Sequence, residues 1–196
     1  MGQHQSIRCT PHVKWLKNKA LNVYTQFGED GLIAACLKEI GETNRHCFEI
    51  GASDGRFFSN TLILREKGWY AVLIEASDKL FEKLKADYGS QSTCIHRTCV
   101  DLDAVLRETN INLQPDLGII DIDGQDFWMW SDLQDVRPRI MLVEISTRSP
   151  SEPPPERDGE GQAGIDAIRY LGESKGYTLV AETFCNALFV DSGELN

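Results

Sequence analysis

The stretch HCFEIGASDGRFFSNT, residues 46–61, sets a short apolar run directly against Gly51 with no polar spacer between them. A run of this length, followed by a glycine turn and a fresh set of polar residues, reads as a buried strand turning toward a helix. Counted from Glu49, the turn has the form E-x-G-x-x-x-G and closes at Gly55. A dinucleotide fingerprint needs a glycine at position 53, where Ser53 stands. Taken alone, the turn fits a ligand approached by the backbone at Gly51. It fits equally a tight corner eased by two glycines.

Working outward, strand and helix signals alternate. Upstream, GLIAACLKEIG places Leu32, Ile33, Leu37 and Ile40 at helical spacing and closes on Gly41. Downstream, SNTLILREKG reads as a helix capped by Ser59 or Asn60 and stopped by Gly68. WYAVLIEAS follows as a buried strand ending at Glu75, and DKLFEKLKADYG as an amphipathic helix. STCIHRTCV, DLGIIDIDG and RPRIMLVEIS are further strands, separated by the helical DLDAVLRETN and DFWMWSDLQDV. IDAIRYLGESKG is the last helix, and YTLVAET and NALFVDS close the chain as two strands too near each other for a helical crossover. Short continuous apolar strands alternating with helices imply an α/β fold, a doubly wound and mostly parallel sheet whose terminal strand runs antiparallel. Residues 1–22 read as a polar, weakly helical N-terminal extension and 23–196 as one domain. Loop 147–164, rich in Pro, Gly and charge, reads as too polar to pack.

Composition narrows the function classes. The net charge of −10, from 30 acids against 20 basic residues, opposes a nucleic-acid partner, which calls for a basic stripe. No apolar run approaches the ~20 residues of a membrane span, and the first residues lack the apolar core of a secretory signal. MGQHQS matches a myristoylation pattern at Gly2 and Ser6, a six-residue match of low specificity. Six scattered cysteines without a C-x-x-C pair suit buried reduced thiols and a cytoplasmic setting, not a structural zinc site.

In a doubly wound sheet, ligands bind beyond the carboxyl ends of the strands at the topological switch point. Here those ends bring Gly51–Gly55, Glu75, Cys99–Asp101, Asp121–Asp126 and Glu144–Ser146, a largely acidic collection. A diphosphate is poorly served by such a cleft, whereas a cofactor with cationic groups welcomes carboxylates. Glu75 lies 24 positions past Gly51, where an acid at a strand end can accept both hydroxyls of a ribose. Asp121 and Asp123 alternate on a strand end and so share a face, with Asp126 beyond Gly124. Three carboxylates this close resist simultaneous ionisation. They suit a general base, a contact to a cationic cofactor or a divalent-cation site, or else one faces the cleft and the others cap the next helix. Phe127, Trp128 and Trp130 read as core.

YTQFGEDGLI, FEIGASDGRFFSNTLILREKGWYAVLIEAS, LGIIDIDGQDFWMW and IMLVEIS, in this order, resemble the FkbM-type class of S-adenosylmethionine-dependent methyltransferases. GIDAIRYLGESKGYTLVAETFCNALFV extends the resemblance, which covers about residues 24 to 191. It implies a Rossmann-like, seven-stranded sheet with the last strand antiparallel, S-adenosyl-L-methionine as cofactor, and O-methylation of a small-molecule or sugar-type acceptor. The implied cofactor set is Glu49, Gly51, Ala52, Ser53, Gly55 and Asn60 around the turn. Glu75, Ala76, Cys99, Val100 and Asp121 join it from the other strand ends. Asp121 and Asp123 are the implied catalytic pair, and Gln26, Glu29 and Asp30 would lie near the entrance. Loop 147–164 stands where relatives continue from VEIS into an Asn and a Pro-containing run. Two other readings remain: a non-catalytic cofactor-binding scaffold of the same fold, and a nicotinamide-dependent oxidoreductase, which Ser53 and the acidic cleft oppose.

Overall fold

The computed structural model describes residues 7–10, 13–98, 101–157 and 159–195. The chain opens with β1 (Arg8–Cys9), a 3₁₀ turn (Lys14–Leu16) and α1 (Glu29–Ile40). It continues through β2 (His46–Ile50), α2 (Leu62–Arg65), β3 (Tyr70–Glu75), α3 (Asp78–Tyr88), β4 (Thr93–His96) and α4 (Leu102–Arg107). The second half carries β5 (Leu117–Ile120), α5 (Asp126–Asp132), β6 (Ile140–Glu144), α6 (Ile165–Ser174), β7 (Tyr177–Glu182) and β8 (Asn186–Asp191). One sheet runs in the order β1-β7-β8-β6-β5-β2-β3-β4. Strands β2 to β6 are mutually parallel, and β8 lies antiparallel between β6 and β7.

The sheet has eight strands where seven were expected. The additional strand comes from the lead-in, whose Arg8 and Cys9 pair antiparallel with Glu182 and Ala181 on the outer edge of β7. Thr10 extends the contact, its N–H donating to Val180 O and its hydroxyl to Leu179 O. Val13 and Leu16 are buried behind it. Two residues carry no readable strand period, and it is the unpaired backbone edge of β7 that recruits them. The Gly2/Ser6 pattern lies outside the described residues.

Strand alternation divides the core into two layers. Phe48, Ile50, Val72, Ile74, Met141 and Val143 face α4, α5 and α6, where Trp130 is fully buried as expected. Phe127 and Trp128, also expected in the core, are only half-buried. Cys47, Ala71, Leu73, Ile140 and Leu142 face α1, α3 and the 3₁₀ turn. Both faces are covered, which is why these strands read as continuous apolar runs. No helix among the described residues is long and apolar enough to cross a membrane.

Two local expectations change. Helix α2 is a single turn, and neither Ser59 nor Asn60 caps it. Both bind Glu49 instead, so the SNT segment lies across the strand end before the helix begins. Loop 147–164, though polar, packs onto α5. Trp128 Nε1 donates to Pro155 O at 2.8 Å, and the Gln125 amide donates to Glu156 O and Gly159 O. Arg157 forks onto Asp132 at 2.7 and 2.8 Å, with its guanidinium over the Trp128 ring. Polar residues hold this loop because its own carbonyls find donors on the helix.

Candidate active site

Strand β2 has β3 on one side and β5 on the other, so the winding reverses between β2 and β5. Beyond their carboxyl ends lies a cavity of about 350 Å³, within the size range of small-molecule sites. Glu49, Gly51, Ala52, Ser53 and Asn60 line it from the β2 side, and Asp121, Asp123 and Glu144 from β5 and β6.

The glycine turn is built by backbone geometry. Gly51 has φ +77°, and a Cβ there would fall 1.7 Å from the Asp121 carbonyl oxygen. Its missing side chain lets β2 and β5 close up, and Gly51 also lines the cavity, where the sequence placed the approach of a ligand to the backbone. Ser53, at the position of the absent fingerprint glycine, nevertheless holds φ +51°. Its N–H donates to Glu75 Oε2 at 2.7 Å, and the other oxygen, Oε1, accepts from Ser77 N–H at 2.7 Å. Glu75 thus stands at the turn but is not among the cavity-lining residues. Gly55, φ +75°, sits behind the turn, where a Cβ would meet Leu84 and Tyr88 of α3. Ala76 is likewise off the cavity, with the His96 ring 3.1 Å from its carbonyl. Cys99 and Val100 lie outside the described residues.

Glu49 explains why FEIG and SNT occur together. Its Oε1 accepts from Asn60 N–H at 2.7 Å, while Oε2 accepts from the hydroxyls of Ser59 and Thr61. Burial raises the Glu49 carboxyl, and these donors with the nearby Arg65 charge pull the other way without cancelling it. Arg65 closes the assembly, donating to Thr61 and Ser59 and to the Gly55 carbonyl. Glu49 is therefore a positioning residue, and what it positions is Asn60. That side chain is buried, yet its Oδ1 has no hydrogen-bond partner.

The acids sort into two roles. Asp126, the first residue of α5, turns inward and accepts from the N–H groups of Ile122 and Gly124, so it ties down the turn before the helix and does not cap α5 as one of the sequence alternatives had it. Burial nevertheless pushes it up to about 6. Asp121 and Asp123 share the cavity, though not through strand alternation. β5 ends at Ile120, and Asp123 is brought round by a left-handed backbone, φ +56°. Burial, followed by the charges of Glu144, Asp126, Glu49 and Asp123, raises the Asp121 carboxyl well above the ordinary range. Glu144 is raised for the same reasons, burial first, although it accepts from Asp123 N–H at 3.0 Å. Each therefore takes up a proton more readily than a separate, exposed carboxylate would. Among the described residues, no group of three or more His, Cys, Asp or Glu is placed to hold a metal ion, so the divalent-cation reading has no ligand set there.

Of the expected entrance residues, Gln26 and Glu29 line the cavity. Glu29 is buried, accepting from Thr183, Asn186 and Phe27 N–H. Asp30 does not line it. It gathers the N–H groups of Val23, Tyr24 and Thr25 and so shapes the segment that does. The β7–β8 hairpin, which sequence reasoning did not place here, contributes Phe184, Cys185 and Asn186. The signal was topological: β8 pairs antiparallel with β6, and Asn186 stands opposite Glu144. Asn186 Oδ1, like Asn60 Oδ1, is buried without a partner.

No family model matches the sequence, and no curated protein is similar to it in sequence. Solved structures are similar in fold. An S-adenosylmethionine-dependent methyltransferase from Clostridium acetobutylicum has a TM-score of 0.56 at 10% identity, over 85% of this chain and 92% of that one. Magnesium protoporphyrin IX methyltransferase from Synechocystis, with bound S-adenosylhomocysteine, gives 0.53 at 15% identity, over 82% and 79%. An O-methyltransferase from Bacillus cereus in complex with the same compound gives 0.51 at 18%, over 89% and 84%. The chain has the Rossmann-like fold of S-adenosylmethionine-dependent methyltransferases, with one strand added at the β7 edge.

Proposed function

We propose that the chain is an S-adenosylmethionine-dependent O-methyltransferase of the FkbM type, acting on a small-molecule acceptor in the cytoplasm, with residues 23–196 as its domain. The observation that carries this reading is the pairing of an acidic cavity at the switch point with a buried, unpartnered acceptor, Asn60 Oδ1, on the glycine-turn side. A carbonyl oxygen held out of water without a donor is costly, and the amino group of the cofactor's methionine end is a donor that fits it. The set of Glu49, Gly51, Ala52, Ser53 and Asn60 would hold that end, and Glu75 with Ala76 would mark the way to the ribose.

When bound, the cofactor supplies a methyl carbon on cationic sulfur, whose C–S bond breaks, with its electron pair left on sulfur, as the C–O bond to the acceptor forms. The protein's part is to hold the acceptor and take its hydroxyl proton. Asp121 and Glu144 share that task. Their raised affinity for a proton is what a base working near neutral pH requires. Asp123, beside them, orients the acceptor.

Titration calorimetry tests the reading. S-adenosylmethionine and S-adenosylhomocysteine should both bind in the micromolar range, about −8 kcal/mol. Asp121→Asn should weaken the sulfonium compound about tenfold more than the neutral thioether, because only the former carries the charge that faces the carboxylate. No heat with either compound sinks the proposal.

A further inference from the structure

The cavity's mouth differs in character from its interior. Phe57, Phe58 and Phe184 are 63%, 42% and 46% exposed, and all three line it, as does the half-buried Phe27. The rings form two pairs: Phe57 with Phe58 at 3.8 Å between centroids, and Phe27 with Phe184 at 5.1 Å. They come from separate parts of the chain, the segment after the glycine turn, the entry to α1 and the β7–β8 hairpin. Phe58 holds its place at φ +55°, a costly conformation for a bulky side chain. Rings left in water at such cost act as a binding wall.

Inside that rim, Asp121, Asp123 and Glu144 line the cavity, and no lysine, arginine or histidine does so among the described residues. Asn186 Oδ1 adds a second, independent demand: a buried acceptor on the hairpin side that lacks a donor. An acceptor bearing phosphate or carboxylate would meet like charge with no counter-ion. A polyol would set several hydroxyls against phenylalanine faces that cannot pair with them. A flat ring with a hydrogen-bond-donating head satisfies both zones, and a cationic head gains from the carboxylates and the ring faces together.

Resting on the methyltransferase reading, we infer that the methyl acceptor is a hydroxyaryl compound without an anionic group. Its ring lies against the phenylalanines, and its polar head points toward Asn186 and the carboxylates. This separates the two acceptor types that the resemblance left together, favouring an aromatic alcohol over a sugar.

The test uses the full chain saturated with S-adenosylhomocysteine, titrated calorimetrically with four probes: tyramine, 4-methylphenol, 4-hydroxyphenylacetate and methyl glucoside. Tyramine and 4-methylphenol should bind at least about tenfold more tightly than the other two. Phe57→Ala and Phe184→Ala should each weaken tyramine about fivefold, and S-adenosylhomocysteine titrated into the same variants reports separately on the cofactor half. If the glucoside or the anionic probe binds as well as tyramine, or neither aryl probe binds, the inference is overturned while the methyltransferase reading stands. A chain that binds no S-adenosylhomocysteine overturns both.

Discussion

Three residues lining the cavity, Ser53, Phe58 and Asp123, hold left-handed backbone conformations without being glycine. Only two others, Asn18 and Arg45, do so among the described residues, so strain concentrates at the site. Each costs about 1–2 kcal/mol relative to an ordinary conformation. Replacing Phe58 by glycine removes that cost and gives up a ring that is partly exposed and packs against Phe57. Phe58→Gly should therefore stabilise the fold by up to about 1 kcal/mol, seen as a higher denaturant midpoint with unchanged slope. Gly51→Ala should do the reverse, losing about 3 kcal/mol or more, because its Cβ has nowhere to go against the Asp121 carbonyl. A fall in stability for Phe58→Gly would show that the ring is held by packing and not exposed for binding.

At the scale of elements, loop 147–164 and the β7–β8 hairpin decide how the cavity is bounded. Ser146 N–H donates to Ala163 O, closing the loop at its base, and Asp123 borders both the main cavity and the space beneath the loop. The contacts to α5 centre on Trp128, which donates to Pro155 and carries Arg157 on its face. Trp128→Phe keeps an aromatic face and removes the N–H. It should cost about 1 kcal/mol and speed amide hydrogen exchange across 150–160 more than in α5 itself. Uniform exchange in the variant and the parent would mean that the loop does not depend on this contact.

At the scale of the molecule, two sets of carboxyls respond to pH in opposite directions. At the site, Asp121, Glu144 and Asp126 are raised, chiefly by burial. Their contribution is fully present below the unfolded carboxylate value of about 4. It is lost as pH rises through about 6 for Asp126 and higher for the other two. At the amino end of the strands, Asp116 accepts from Thr43, Asn44 and Arg45 and pairs with buried Arg139. Burial opposes its ionisation, but the Thr43 and Arg139 bonds prevail and lower it. Burial likewise opposes ionisation of Asp54 beside the glycine turn, but the Lys83 ion pair and two N–H donors lower it to about 2. These two groups stabilise above about 4 and lose their contribution as pH falls toward about 2. Stability should thus peak in weak acid. Between about pH 5 and about pH 8.5 it should fall by at least about 1 kcal/mol from Asp126 alone, and Asp121→Asn should flatten that limb. Urea midpoints across the range provide the check, and a midpoint that rises toward the alkaline side contradicts the assignment.

Much of this was legible in the residues because the signals are local. Continuous apolar runs and glycine stops by themselves determined a doubly wound sheet, the HCFEIGASDG turn pointed to the end of β2 where a cavity lies, and the close spacing of the last two strands determined their antiparallel pairing. The acids of IIDIDG were legible as a cluster, but not which of them faces the cavity, since that depends on the left-handed turn at Asp123 and on where β5 ends. Only the tertiary structure set Arg8–Cys9 against β7, bound Glu49 to the SNT segment and brought Asn186 opposite Glu144. The same holds for the gathering of four phenylalanines from distant segments around one mouth. Each of these depends on long-range pairing and on which backbone edge or buried oxygen is left unsatisfied, and no period or spacing along the chain encodes it.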